Sequence, residues 1–325
     1  MTAGDLNGFD RRAIPDNAQE SLLSLHDGHN IRRIDWPSQP LTDFPQRGSI
    51  LFLPGRGDHY EKYLETLDQW HRAGWRVTAA DWRGQAGSGR LGTDEATGHI
   101  EDFQLWIDDL GHLWRSWIAE TPGPHVLAGH SMGGHLTLRA AAQNEVRPDA
   151  LVLSAPMLGI AGPPLPLPVL HIVARLMTKL GDPRRPAWKF SEKPGQMPAA
   201  RGSLLTHDRV RYEDELWWRE HRPEISMGPG SWGWVAAAYG SSRALFAPGL
   251  LERTTTPTLM IATTADRLVP FGPIKDACER MPRAELVQFG KEARHEILRE
   301  ADPVRDRAMA AIVDFLDRVA PPAEP

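Results

Sequence analysis

The sequence predicts an α/β fold, with a mostly parallel central sheet, helices on both faces and one inserted, mainly helical segment. Three observations lead there. Short apolar runs bounded by Pro, Gly and Asp alternate with longer segments of helical periodicity, the pattern of strand–helix–strand units. That alternation stops after Ala155-Pro156 and resumes only near Thr256-Pro257. The chain, at 325 residues, is long enough for one large domain carrying such an insertion, and two independent domains are not required.

In chain order, residues 49–53, 76–80, 126–128, 150–154, 258–263 and 285–289 read as buried strands. Segments 60–73, 100–120 and 132–144 between them carry apolar residues at helical spacing. Residues 1–156 and 257–325 therefore form the expected core, and residues 157–256 a cap inserted between two core strands. The insertion opens with a proline-rich stretch, 162–168, followed by the apolar segment 169–180. That segment suits an amphipathic helix, with burial against the core as the first expectation and lipid contact as the competing one. Trp188, Trp217, Trp218, Trp232 and Trp234 also fall here, suited to a ligand trough or to ordinary core packing. The first forty residues add little, and the short tail 321–325 is expected to fray.

Composition excludes several function classes. The formal net charge is −5, with 37 basic and 42 acidic residues dispersed along the chain. No sustained basic tract is present to grip a phosphate backbone, so nucleic acid is not an expected partner. One cysteine, Cys278, permits no intrachain disulfide. Residues Met1 to Arg12 lack the apolar stretch of a secretory signal, and no window approaches the roughly 20 apolar residues of a membrane span. The expectation is a soluble cytoplasmic protein whose contact with the inner membrane, where it occurs, is peripheral. Zinc-type Cys/His spacing, H-E-x-x-H and a glycine-rich phosphate loop are all missing from the sequence, so no metal or other cofactor is expected.

The chemistry concentrates at Gly129-His130-Ser131-Met132-Gly133-Gly134, a G-x-S-x-G directly after the apolar run 126–128 and before a helical run. A serine held on a sharp strand-to-helix turn needs neighbours without Cβ atoms, because strand and helix pass close together there. Such a nucleophile needs a base to take its proton and an acid to fix the base's tautomer, following in the order Ser, Asp or Glu, His. Asp266 stands just after the run 258–263, on a loop at the carboxyl end of a predicted strand. His295 follows the next strand after the loop 290–294. Position selects His295 among thirteen histidines: His130 is expected to point away on the turn, and His99, His112 and His135 fall where the fold would not bring them over the serine. The oxyanion of an acyl-transfer intermediate needs backbone donors, expected from Met132 and from Arg56 in the loop Pro54-Gly55-Arg56-Gly57-Asp58.

Taken together these stretches resemble the bacterial lysophospholipase and monoacylglycerol lipase branch of the α/β-hydrolase superfamily, nearest to the lysophospholipase side. The likeness rests on Arg56-Gly57 with Tyr60, Lys62 and Tyr63, on Asp81-Trp82-Arg83-Gly84-Gln85 followed by Gly87-Ser88-Gly89-Arg90, and on Gly129 to Gly134. It continues through Ala155-Pro156-Met157-Leu158-Gly159-Ile160, Leu205-Thr206-His207-Asp208-Arg209 with Tyr212, and His295-Glu296-Ile297-Leu298. The resemblance implies cleavage of a carboxylic ester in a single-chain lipid through an acyl-enzyme on Ser131, a lysophospholipid giving fatty acid plus a glycerophospho-compound. A small-molecule lipid or ester is the implied partner. Two departures stand out: Pro54-Gly55 replaces the His-Gly pair common in monoacylglycerol lipases, and Gln85-Ala86-Gly87 replaces the usual glycine-rich spacing.

The alternatives are a monoacylglycerol lipase, a broad carboxylesterase, and a catalytically silent hydrolase-fold binding protein. An Asp nucleophile, as in dehalogenases and many epoxide hydrolases, is excluded by Ser131. Within the cap, Arg184, Arg185, Arg209 and Arg211 are the residues expected to meet a lysophospholipid phosphate.

Overall fold

The computed structural model describes residues 9–37, 46–162, 165–188 and 199–322. Residues 1–8 of the N-terminal stretch, Pro163 and Pro164 of the proline-rich stretch, and tail residues 323–325 lie outside the described residues.

Eight strands form one sheet among the described residues, in the order β1-β2-β4-β3-β5-β6-β7-β8. These are β1 Gln19–Ser24, β2 Asn30–Trp36, β3 Gly48–Leu53, β4 Trp75–Ala80, β5 His125–His130, β6 Ala150–Ser154, β7 Thr258–Thr263 and β8 Ala284–Phe289. All pairs from β4 to β8 are parallel, whereas β1 and β2 join one edge antiparallel. Every run read as a strand is one. The β1–β2 hairpin was not read because β1 is almost wholly exposed and β2 carries Arg32, Arg33 and Asp35, so neither shows the continuous apolar run of a strand covered on both faces.

The central strands are buried along their length, and their alternation sorts side chains into two cores. Leu51, Leu53 and Leu127 face helices α2 (Phe103–Glu120) and α3 (Met132–Ala142). Ile50, Phe52 and Val126 face α1 (Leu64–Arg72) and the C-terminal α9 (Asp302–Val319). The segment 60–73 is not one helix: residues Tyr60–Tyr63 form a 3-10 turn ahead of α1. Helix α2 begins at 103 because the Asp102 carboxylate accepts from the Gln104 N–H at 2.9 Å and caps it.

Between β6 and β7 the described chain adds no strand to the sheet; it forms α4 (Leu167–Lys179), α5 (Ala199–Leu205), α6 (Arg209–His221) and α7 (Trp232–Leu245). Helix α4 packs on α7, and α7 reaches α2. Segment 169–180, expected first of all to be buried, instead leaves an apolar stripe exposed: Val169, Ile172, Val173, Leu176 and Leu180 recur at helical spacing, with Ile172 65 % and Leu176 53 % accessible. Helix α6 is fastened to the core by Arg211, which donates to Glu65 (2.7 Å), Asp302 (2.7 Å) and the Glu300 carbonyl (2.9 Å). Helix α8 (Phe271–Arg280) connects β7 to β8. No described helix is long and apolar enough to cross a membrane.

Candidate active site

Ser131 ends β5 and caps α3 with φ +51° and ψ −117°. That backbone conformation costs a side-chain-bearing residue about 1–3 kcal/mol, so the surroundings must hold it. They do so by proximity. A Cβ on Gly129 would come within 2.7 Å of the Gly133 carbonyl carbon, and one on Gly133 within 2.2 Å of the Leu53 carbonyl oxygen and 2.4 Å of that of Pro54. All these obstacles are backbone, so both positions require glycine. The Ser131 N–H donates to Ser154 on β6 (3.0 Å), and its carbonyl accepts from Met157 (2.8 Å).

Asp266 and His295 arrive from the carboxyl ends of β7 and β8, and both are buried to within a few per cent. His295 Nε2 lies 3.0 Å from Ser131 Oγ, and Nδ1 lies 2.7 Å from Asp266 Oδ2. The other carboxylate oxygen of Asp266 accepts from the N–H groups of Leu268 (2.8 Å) and Val269 (3.0 Å). Burial alone would raise the Asp266 carboxyl. The His295 charge and hydrogen bond, with those two N–H groups, outweigh it and hold the group below the usual carboxylate range. The chain Asp266–His295–Ser131 is thus continuous, with the neutral tautomer of His295 fixed as Nδ1–H.

The loop after β3 lies against the serine: a Cβ on Gly55 would sit 3.1 Å from Ser131 Cβ. Its N–H groups are differently engaged. That of Gly55 donates to Asp58 Oδ2 (3.3 Å) and that of Gly57 to Gln85 Oε1 (2.8 Å), while the Arg56 N–H between them has no protein acceptor among the described residues. Met132 opens α3, so its N–H is one of those an α-helix leaves unpaired. Gln85, a departure from glycine-rich spacing in the sequence, therefore has a use in bracing this loop.

Beneath the loop lies a buried ionic cluster that sequence reasoning missed. Lys62 Nζ bonds Asp58, Glu296 (2.5 Å) and Glu215 (3.1 Å), and Arg299 bonds Glu296 and Glu215 (3.1 Å). Asp58 also accepts from the Tyr63 hydroxyl at 2.9 Å. Burial raises Asp58, but Lys62 above all more than reverses it and holds the carboxylate ionised. Asp58, His130 and Glu296 are close enough together to suggest a metal site, yet the Lys62 ammonium already bonds both carboxylates.

Contrary to expectation, His130 does not point away from the site. Its ring centroid is 4.8 Å from that of His295, because the end of β5 turns it under the histidine loop. Burial, reinforced by His295, pushes it down to about 4, so it is neutral at physiological pH. His99 and His135 lie elsewhere, bonded to Ser231 (2.8 Å) and Ser241 (2.6 Å).

Ser131 and His295 open onto a cavity of about 670 Å³. Leu170, Val173 and Ala174 of α4, Val235 and Tyr239 of α7, and Trp188, Trp232 and Trp234 line it together with Arg56 and Arg201. Trp217 and Trp218 are elsewhere: Trp217 stacks on His221, and Trp218 donates to the Arg11 carbonyl (2.8 Å). None of the four arginines expected to meet a phosphate lines the cavity. Arg184 pairs with Asp182 (3.0 Å), Arg209 with Glu213 (2.8 Å), Arg185 donates to the Met177 carbonyl (2.7 Å), and Arg211 is tied to Glu65 and Asp302. Charge count along a segment does not reveal which cations already have partners.

The family described as serine aminopeptidase, S33, matches residues 45–302. The chain is 31 % identical over 280 residues to lysophospholipase L2 of Escherichia coli K12, covering 83 % of this chain and 80 % of that protein. It is 24 % identical to the monoacylglycerol lipase of Mycolicibacterium smegmatis, over 84 % of this chain and 91 % of the relative. Among solved structures, a soluble variant of monoglyceride lipase from Saccharomyces cerevisiae superposes with a TM-score of 0.71 at 19 % identity, over 96 % of this chain and 99 % of the other.

Proposed function

The chain belongs to the serine aminopeptidase S33 family of α/β-hydrolases, on its lysophospholipase and monoacylglycerol lipase branch, and from that premise we propose that it hydrolyses lysophospholipids through Ser131, His295 and Asp266. It is a carboxylic ester hydrolase acting on small lipid or ester substrates. The observation that carries the finer reading is the unbroken hydrogen-bonded chain from Asp266 to Ser131, opening on a cavity walled mainly by apolar side chains.

In this mechanism Ser131 Oγ attacks the ester carbonyl carbon as His295 Nε2 takes its proton. Asp266 holds the imidazole in register and stabilises the imidazolium. The tetrahedral oxyanion is received by the N–H groups of Met132 and Arg56, which need no reorganisation because neither has another acceptor among the described residues. Collapse expels the alcohol, which takes the proton from His295 and leaves the acyl group on Ser131. Water, deprotonated by His295, then attacks the acyl carbon, and the fatty acid departs as Ser131 regains its proton. The segment 157–256 serves as the cap that encloses the acyl chain between α4 and α7. The exposed stripe of α4, with Arg175 and Lys179 on the same helix, supports a peripheral contact with a lipid surface.

The lysophospholipase reading is favoured over monoacylglycerol lipase because the E. coli relative shares more identity at similar coverage of this chain. Fatty acid release from a lysophospholipid, a monoacylglycerol and a short p-nitrophenyl ester, each with wild type and Ser131→Ala, tests it. Fastest release from the lysophospholipid, lost in the variant, is the expected outcome. Turnover of the short ester alone would make the protein a general carboxylesterase, and activity surviving Ser131→Ala would remove the serine from its role.

A further inference from the structure

Arg56 carries, beside its backbone N–H, a side chain that the hydrolytic mechanism does not use. The guanidinium carbon lies 5.1 Å from the ring centroid of Trp188 and 5.2 Å from that of Trp234, and one amino group donates to the Gly228 carbonyl at 2.5 Å. Nε is buried with no partner. Two buried arginines of this fold meet carboxylates: Arg32 meets Glu61 and Asp81, and Arg83 meets Asp27 and Asp109. Arg56 meets none among the described residues. The influences acting on it are burial and the charge of Arg201, which push it down to about 9, so it remains a cation at neutral pH in a wall of the cavity.

A half-buried cation with no carboxylate beside it among the described residues is unfavourable, and the deficit is removed when a ligand supplies the anion. The two tryptophan rings flank the guanidinium, which suits its fork of N–H donors to oxyanion recognition. Position adds the rest of the argument. Arg56 follows Gly55, the residue against the Ser131 Cβ, and its side chain lines the same cavity that Ser131 opens onto, as the phosphate and the ester of a lysophospholipid would share one site across the glycerol spacer. The wall formed by Leu170, Val173 and Val235 is left for the acyl chain.

We propose that Arg56 recognises the substrate's phosphate: its guanidinium receives the phosphodiester on the leaving-group side while its own N–H serves the oxyanion. This deepens the lysophospholipase reading and rests on it. The substitutions Arg56→Gln and Arg56→Lys both retain the backbone N–H, and each inhibition constant is read against the variant's own uninhibited rate.

The test measures inhibition of short p-nitrophenyl ester hydrolysis by two single-chain amphiphiles, each below its micelle concentration. Dodecylphosphocholine carries a phosphodiester and dodecyl maltoside does not. In Arg56→Gln the inhibition constant of dodecylphosphocholine should rise on the order of 10- to 100-fold relative to that of dodecyl maltoside, as expected for losing hydrogen bonds between charged groups. Arg56→Lys, which keeps the charge and loses the fork, should fall between Gln and wild type. Equal shifts for both amphiphiles, or no shift, would overturn the proposal. Free dodecanoate is the third probe: a shift confined to it would assign the cation to the product carboxylate and overturn the phosphate assignment. Neither amphiphile contains a carboxylic ester, so this result stands apart from whether wild type cleaves lysophospholipid. Failure of that cleavage would sink the proposed function alone.

Discussion

Replacing Lys62 by methionine removes the one cation that Asp58 holds at salt-bridge distance among the described residues, apart from the neutral His130, 3.9 Å away. Glu215 and Glu296 keep Arg299, and Glu215 also keeps Arg219 at 2.9 Å, so the loss falls mainly on Asp58. Breaking a buried pair by deleting one partner costs about 3–5 kcal/mol. That is a large share of the roughly 5–15 kcal/mol that stabilises a folded domain. The sign with pH follows from the carboxylate. In wild type Asp58 is held well below its usual range, so its contribution is present above the unfolded value near pH 4 and is lost only as pH falls through the depressed folded value. In Lys62→Met the stranded carboxylate is relieved by taking up a proton. The destabilisation should therefore be greatest near pH 8 and shrink toward pH 5. Urea denaturation of wild type, Lys62→Met and Lys62→Met/Asp58→Asn at those two pH values measures it. The double variant should recover most of the loss, because no buried charge is left unpaired. A destabilisation under about 1 kcal/mol, or one of equal size at both pH values, would refute the electrostatic account.

Asp266→Asn should lower kcat by on the order of 10⁴ with little change in KM, because the amide favours the wrong tautomer of His295; steady-state hydrolysis of a p-nitrophenyl ester reads this. Ile172→Gln combined with Leu176→Gln, on the exposed stripe of α4 and outside the cavity lining, should weaken co-sedimentation with anionic vesicles several-fold while short-ester turnover holds; unchanged sedimentation would remove α4 from the membrane contact. Burial, with Arg139 adding, pushes His135 down to about 3. The unfolded chain therefore binds a proton that the folded one does not between about pH 6.5 and 3, and stability falls as pH drops through that window. His135→Gln should flatten the decline of the urea midpoint between pH 7 and 5, and a decline as steep as that of wild type would show the charge to lie elsewhere.

The legible parts of the sequence were those with local signatures. Continuous apolar runs mark the six strands from β3 to β8, and the ends of β5, β7 and β8 carry Ser131, Asp266 and His295. Less legible was whatever depends on partners far along the chain. Lys62 and Asp58 stand four residues apart, but only folding brings Glu296 to the same ammonium from 234 residues away. That the Arg56 side chain meets no carboxylate among the described residues is likewise a property of the folded surroundings. The cap arginines were misjudged in the opposite direction: Arg211 looked available and is saturated by Glu65, Asp208 and Asp302.

Residues Glu215 and Arg219 both come from α6, whereas Lys62, Arg299, Asp58 and Glu296 come from the flanking chain. Each contribution is therefore electrically neutral by itself before the two meet. A chimera that exchanges the segment between β6 and β7 for that of another hydrolase can remain neutral at this junction either by keeping both Glu215 and Arg219 or by dropping both. Grafts that keep one without the other leave the buried cluster with an unbalanced charge, and these should be the chimeras that fail to accumulate in cells, whatever the shape of the pocket they were built to carry.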